Sequence, residues 1–283
     1  MTRSDGIGPQ LRSIERVGDA NGSASSFPFT VPAIRTLARL DLASPVTFFV
    51  GENGSGKSTV LEAIAVLAGL PAVGSAEVST DATLALQRSL TTGFRLVWSR
   101  RNRRGFFLRA EDFFGFVKRL ATMRAEMTDR LGEVEREFAD ASAYAKGLAA
   151  GPARASLAEM TTRYGEDLEA NSHGETFLRL FKARLVPGGL YLMDEPEAAL
   201  SPKSQLGLIA LIADTVAAGG QFVIATHSPI LLAFPRATIY SFDTAPIERT
   251  DYADLEHVNL TRSFLTQPER YLRHLIEREP DEA

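Results

Sequence analysis

Between Gly51 and Ser58 the chain reads GENGSGKS, residue types whose spacing suits wrapping backbone around an anion. Glycines at 51, 54 and 56 allow turns that point successive N–H groups inward, where a Cβ would crowd the guest. Lys57 supplies a point charge for the β and γ phosphates of a nucleoside triphosphate, and the Ser58 hydroxyl can ligate Mg²⁺ beside them. The amides from Asn53 through Ser55 to Thr59 hold the remaining oxygens, and Gly51 and Glu52 open the loop.

A second chemical cluster lies in YLMDEPEAALSP, beginning at Tyr191. It places Asp194 and Glu195 at the C-terminal end of an apolar run, where open α/β sheets put their ligands. Asp194 is the expected Mg²⁺ partner, directly or through a water, and Glu195 is suited to polarise an attacking water. In ATHSP, His227 follows a further apolar run, and its imidazole there can hydrogen-bond a terminal phosphate. His173, His257 and His274 have no comparable position. Ser172 to Glu175 reads SHGE, which is a capping box ahead of an apolar helix and equally a helix N-terminus able to meet an anion.

The elements that must carry these residues are legible from periodicity. Val46 to Val50 is a short continuous apolar run, as for a parallel strand covered on both faces, and Val60, Leu61, Ile64 and Leu67 follow at helical spacing. Residues 1 to 45 look like an antiparallel start, with Leu11 to Val17 as a strand and Asn21-Gly22 as a hairpin turn. Phe27 and Phe29 there could stack on a base or belong to the core. Phe94 to Trp98 and Phe106 to Leu108 read as two strands joined in a hairpin by SRRNRRG. Its four arginines, 100, 101, 103 and 104, form a solvated tip or meet an acidic partner such as nucleic acid.

From Glu111 to about Ala170 the composition turns helical, with Gly151-Pro152 as the expected break. The spacing then predicts a helix over 176–185, a strand over 190–193, a helix over 203–218 and a strand over 221–226. Two short strands follow, over 238–243 and 247–252, and a final amphipathic helix from Gln267. Strands alternating with helices predict an α/β fold: one domain over 1–283 with a mostly parallel sheet flanked by helices, an antiparallel N-terminal part, and a helical subdomain inserted at 111–174.

The 283 residues can bury a sizeable core, and 45% hydrophobic and 23% charged residues are ordinary for a globular protein. A net charge of −4 argues against a protein that coats nucleic acid, and the absence of cysteine excludes disulfides and thiolate chemistry. The first residues lack the apolar core of a signal peptide, so the expected location is the cytoplasm.

Phosphate loop, helical insertion, SHGE, a strand ending in Asp-Glu and a strand ending in His, in that order, resemble the ATP-binding cassette superfamily of P-loop NTPases. The wording of FPFTVPAI, VTFFVGENGSGKST, NSHGETF and ATHSPILLAFP is similar to small stand-alone bacterial ATPases carrying an AAA-family label, which lack membrane domains. The resemblance implies ATP and Mg²⁺ as cofactors and an ATP-dependent head-to-tail homodimer. Ser172, Gly174 and Glu175 would then act as a divergent signature on the partner's nucleotide. It also implies a glutamine near Phe106 to Leu108, where this chain has Arg109 or Glu111. Two other functions fit the same motifs: a nucleotide-gated binding module that hydrolyses slowly and grips nucleic acid or protein, and the nucleotide subunit of a transporter.

Overall fold

A computed structural model describes residues 8–17, 27–73, 90–101, 103–164 and 173–276. In chain order the elements are β1 (Leu11–Arg16), α1 (Pro32–Thr36), β2 (Arg39–Asp41), β3 (Val46–Val50), α2 (Lys57–Ala68), α3 (Leu90–Gly93), β4 (Phe94–Trp98) and β5 (Gly105–Arg109). Two long helices follow, α4 (Ala110–Glu137) and α5 (Ala143–Tyr164), then α6 (His173–Arg184) and β6 (Leu190–Asp194). The chain closes with α7 (Pro202–Ala217), β7 (Gln221–Ala225), α8 (Pro229–Leu232), β8 (Thr238–Ser241), β9 (Glu248–Thr250), α9 (Glu256–Thr266) and α10 (Pro268–Ile276).

The main sheet has the order β5-β6-β7-β3-β8-β9, parallel throughout except for the β8–β9 pair. The continuous apolar runs follow from burial of both faces. Phe49, Phe107, Leu192, Val223 and Ala225 point into one core, against α2 and the small sheet. Phe48, Phe106, Tyr191, Met193, Phe222 and Ile224 point into the other, against α4, α6 and α7. In that second core a run of aromatic contacts crosses from β7 to the helices: Phe222 to Tyr191 at 5.0 Å, Tyr191 to Phe106 at 5.0 Å and Phe106 to Phe181 at 5.5 Å. Such pairs add to area burial by roughly 0.5–1.5 kcal/mol each.

The antiparallel N-terminal part is a three-stranded sheet of order β2-β1-β4. This corrects the expected hairpin. β4 pairs with β1 and β5 pairs with β6, so Trp98 ends a strand of one sheet and Gly105 begins a strand of the other. The physical reason is that Phe94 joins the core shared with β1, whereas Phe106 and Leu108 need the helix-covered face of the main sheet. The Asn21-Gly22 turn lies outside the described residues.

One side chain joins the two sheets. Gln221, fully buried at the start of β7, accepts from the backbone N–H of Gln10 at 3.0 Å and Leu11 at 2.9 Å, and donates to the carbonyls of Leu11 at 2.9 Å and Leu42 at 2.6 Å. Both ends of the amide are thus satisfied, which is what its burial requires.

The helical stretch breaks at 138–142, not at Gly151-Pro152. Ser142 Oγ accepts from the Ala145 amide at 3.3 Å and starts the second helix, while Pro152 lies inside α5. An interior proline removes one helical hydrogen bond, yet the helix runs on through it, with Ala150 and Ala153 beside it buried. The expected final helix is present as α10, preceded by α9, which periodicity did not indicate.

Gly105 opens β5 at φ +125°, and a Cβ there would stand 1.8 Å from the Leu190 carbonyl oxygen. Gly105→Ala is expected to lower unfolding free energy by about 3 kcal/mol or more, read as a drop in the urea midpoint at unchanged slope. A midpoint equal to wild type would show that the β5–β6 contact can open without cost.

Candidate functional site

The site is built where β3, β6 and β7 end together. After β3 the chain enters the glycine loop, and Gly51, Gly54 and Gly56 all take positive φ, at 143°, 84° and 104°. A Cβ on Gly51 would come within 2.9 Å of Ser55 Oγ and 3.0 Å of Asp243 Oδ1, so this turn accepts only glycine. Gly56 is the residue before α2 and no side chain caps that helix, leaving its first amides and the positive end of its dipole facing the loop.

Lys57 is 4% exposed, and its Nζ donates to the carbonyls of Gly51 at 2.5 Å and Glu52 at 2.9 Å. Burial pushes its ammonium below the usual lysine range, against the pull of Glu195, Asp194, Asp243 and Glu197. Glu52, Asn53 and Gly54 are exposed at the rim, while Ser55, Ser58 and Thr59 are half-buried. Ser55 Oγ is buried and makes no hydrogen bond among the described residues.

Ser58 Oγ donates to Asp194 Oδ1 at 3.1 Å, joining the phosphate loop to the end of β6. Burial raises the Asp194 carboxyl from 3.8 to about 6, although the Ser58 hydrogen bond works the other way. The sign follows from linkage. A carboxyl that holds its proton more tightly when folded favours the folded state below the unfolded value, and this contribution is lost as pH rises from about 4 to about 6. The nucleotide-free protein is therefore expected to lose denaturant stability through Asp194 across that window. Asp194→Asn should flatten the slope there, and an unchanged slope in chemical denaturation would refute the assignment.

Glu195 adopts φ 50°, ψ 49°, a left-handed conformation that costs a glutamate of order 1–3 kcal/mol and turns the chain sharply out of β6. Its Oε1 stands 3.7 Å from His227 Nε2, and both side chains are roughly half exposed. The three strand ends thus bring together Lys57, Ser58, Asp194, Glu195 and His227. Oxygen donors at Ser58 and Asp194 suit a hard divalent cation, and uncapped amides with a buried ammonium suit a polyphosphate. The residues present fit Mg²⁺ and a nucleoside triphosphate.

Other expected site residues fall elsewhere. Ser172 lies outside the described residues. Gly174 is buried on α6, where a Cβ would meet Ser204 Oγ of α7 at 2.5 Å, so helix packing already accounts for this glycine. Glu175 is exposed in the first turn of α6. Phe29 belongs to the core, whereas Phe27 is 46% exposed.

The position at the end of β5 is Arg109, in register with Asp194 on the adjacent strand. It is 8% exposed, with ion pairs to Glu62 at 3.6 Å and Asp112 at 3.2 Å. A guanidinium held between two carboxylates therefore stands where the resemblance implied a glutamine. The side chain of Glu111 lies outside the described residues.

Sequence spacing assigns no role to three further residues at or beside the site. Asp243 Oδ1 accepts from the Glu52 amide at 2.6 Å because β8 lies beside β3. Glu197, two residues after Glu195, holds the start of the His227 turn. His257, given no role from sequence, has its Nε2 buried on α9, and burial, with His227 nearby, holds its imidazole below the usual histidine range. Glu197 stands in the DEPE run and could have been read from it; the other two carry no local signal.

Two family models match segments of the chain. Residues 33–105 match a family model described as an AAA domain, and residues 176–233 match one described as an AAA domain of a proposed AbiEii toxin, type IV TA system. The first segment contains the phosphate loop, and the second contains Asp194, Glu195 and His227. The two matched segments lie on either side of the α4–α5 pair. No curated protein matches it.

Solved structures similar to it include an ATP-binding cassette of an ABC transporter in its ADP conformation, at 14% identity and TM-score 0.42 over 95% of this chain and 100% of that one. A nucleotide-free ATP-binding cassette from an ABC transporter is similar at 16% identity and TM-score 0.45, over 93% and 99%. The SMC head domain from Thermotoga maritima is similar at 17% identity and TM-score 0.41, over 86% and 99%. Among the described residues no helix is long and apolar enough to cross a membrane.

Proposed function

We propose that the protein is a Mg²⁺-dependent ATPase of the ATP-binding cassette type, a single domain with α4 and α5 as an inserted helical subdomain. The observation that carries this reading is the 3.1 Å hydrogen bond from Ser58 to Asp194, which sets a hydroxyl and a carboxylate side by side beneath the glycine loop. Lys57 and the first amides of α2 bind and orient the phosphates. Mg²⁺, when bound, neutralises charge on the phosphate oxygens, and Ser58 and Asp194 are the residues to hold it. Glu195 accepts a proton-side hydrogen bond from the attacking water, and His227 reaches the terminal phosphate from the neighbouring strand end. Catalysis of this kind is positioning and electrostatics, with no covalent step on the protein.

The same reading includes head-to-tail closure of two chains over two ATP molecules, with Ser172, Gly174 and Glu175 facing the partner's nucleotide. The exposure of Glu175 in the first turn of α6 supports that part. The process driven by the cycle is a separate matter, since a phosphate loop specifies fuel and mechanism only. The test is phosphate release from ATP by purified protein, with Mg²⁺ and with a chelator. Metal-dependent turnover is expected; failure of ATP to bind in calorimetry would overturn the reading.

A further inference from the structure

His227 leaves the sheet between two elements and belongs to neither. It follows β7 by two residues, and α8 begins only at Pro229. What fixes it is Glu197, on the short 3₁₀ turn after β6. The Oε1 of Glu197 accepts from the Thr226 hydroxyl at 2.6 Å and from the His227 backbone N–H at 2.7 Å. Both bonds are short, as for donors meeting a carboxylate, and such bonds are about twice as strong as neutral ones. Oε2 of the same carboxylate is buried and makes no hydrogen bond among the described residues.

The local backbone explains how a glutamate comes to be there. The left-handed turn at Glu195 and the proline at 196 wind the chain into a 3₁₀ turn over Pro196–Ala199, so Glu197 doubles back toward β7. The Glu195 amide donates to the Ala225 carbonyl at 2.9 Å, which ties the base of this turn to the end of β7. Beyond His227, Ser228 Oγ caps α8 and donates to Gln205 Oε1 at 2.5 Å, so the turn is anchored at its far end as well. Glu197 is thus the fastening on the near side, where the imidazole departs.

We propose that Glu197 is a positioning residue for His227: by gripping the Thr226 hydroxyl and the His227 amide with one carboxylate oxygen, it sets the reach of the imidazole toward the terminal phosphate. This rests on the ATPase reading given above. Glu197 needs no contact with the nucleotide for this role. Its oxygen must accept two hydrogen bonds, which a glutamine carbonyl oxygen can also do. Its charge is therefore dispensable and its shape is not.

The experiment compares wild type, Glu197→Ala, Glu197→Gln and Thr226→Val for ATP turnover, ATP affinity and amide hydrogen exchange at His227. Glu197→Ala is expected to lose ten- to a hundredfold in kcat with KM for ATP within about threefold, and to speed exchange of the His227 amide, whose acceptor is gone. Glu197→Gln should restore kcat to within about threefold of wild type and keep the amide protected. Thr226→Val, which removes one of the two bonds, should fall between and serves if the alanine variant does not fold. A glutamine variant as inactive as the alanine one would overturn the proposal, because charge would then be essential. Unchanged kcat in Glu197→Ala, or an equal loss of ATP affinity, would overturn it too. Wild type that neither binds nor hydrolyses ATP would instead refute the ATPase reading, while the hydrogen-exchange comparison would still report whether Glu197 holds the turn.

Discussion

Lys57→Ala is expected to reduce ATP turnover by at least about a thousandfold and to abolish the stabilisation that Mg²⁺-ATP gives the wild-type protein. A single donor aimed at developing oxyanion charge is worth roughly a hundred- to a thousandfold in rate, and Lys57 carries a full charge in a dry site. The loss should reach binding as well, because the ammonium organises the loop. It donates to Gly51 and Glu52, the two residues through which the chain leaves β3. Its burial has already stripped much of its water, so transfer of those hydrogen bonds to phosphate oxygens costs little further desolvation.

A ligand at a hundred times its Kd stabilises a protein by about 2.7 kcal/mol, so the wild-type thermal midpoint should climb with Mg²⁺-ATP and that of the variant should not. Turnover by Lys57→Ala at the wild-type rate would end the phosphate-loop assignment. Stability without nucleotide is a poor guide here, since alanine removes a buried charge together with its two carbonyl contacts.

Glu195→Gln should separate binding from chemistry. General-base catalysis contributes roughly a hundred- to ten-thousandfold, and the amide keeps the size of the carboxylate while losing its basicity. We therefore expect kcat to fall by that range with ATP affinity preserved. The left-handed backbone at Glu195 is set by the turn into Pro196 and by the hydrogen bond that its N–H donates to the Ala225 carbonyl, neither of which the substitution touches. The variant should then accumulate the ATP-bound state, and solution mass with Mg²⁺ and ATP should move from monomer to dimer. Rapid hydrolysis by Glu195→Gln would transfer the base role to another carboxylate. Bound ATP without a mass change would remove the head-to-tail dimer and leave Gly174 as the helix-packing residue that its contact with Ser204 already makes it.

The Arg109 cluster bears on both experiments. The positive charge beside Asp194 belongs to an arginine fixed between Glu62 on α2 and Asp112 on α4, where a glutamine would be neutral. The carboxylates around the site are thus partly balanced from within the chain before any ion arrives. Glu62 lies one turn beyond Ser58 on the same helix, so this balance reaches the helix that carries the phosphate loop.

What the amino-acid sequence determined by itself is local. The glycine loop and the start of α2 are written in consecutive residues, because backbone torsions and helix termini are set within a few positions of the glycines that permit them. The strands β3, β6 and β7 were legible as unbroken apolar runs, and Asp194, Glu195 and His227 at their ends, because burial on both faces leaves no polar alternation.

Tertiary structure decided everything that depends on which strand lies beside which. Asp243 meets Glu52 only because β8 packs along β3, and Arg109 meets Glu62 only because the sheet sets the end of β5 beside α2. The strand at Phe94–Trp98 looked like half of a hairpin, yet it joined β1, since periodicity states that a segment is a strand and is silent about its partner. Gly151-Pro152 looked like a break and stayed within α5, which is packed beside α4 and α6. The physical reason is common to all four. Torsional preference acts over a few residues, whereas the choice of neighbour is made by burying whole faces at once, a free energy summed over residues far apart in the chain.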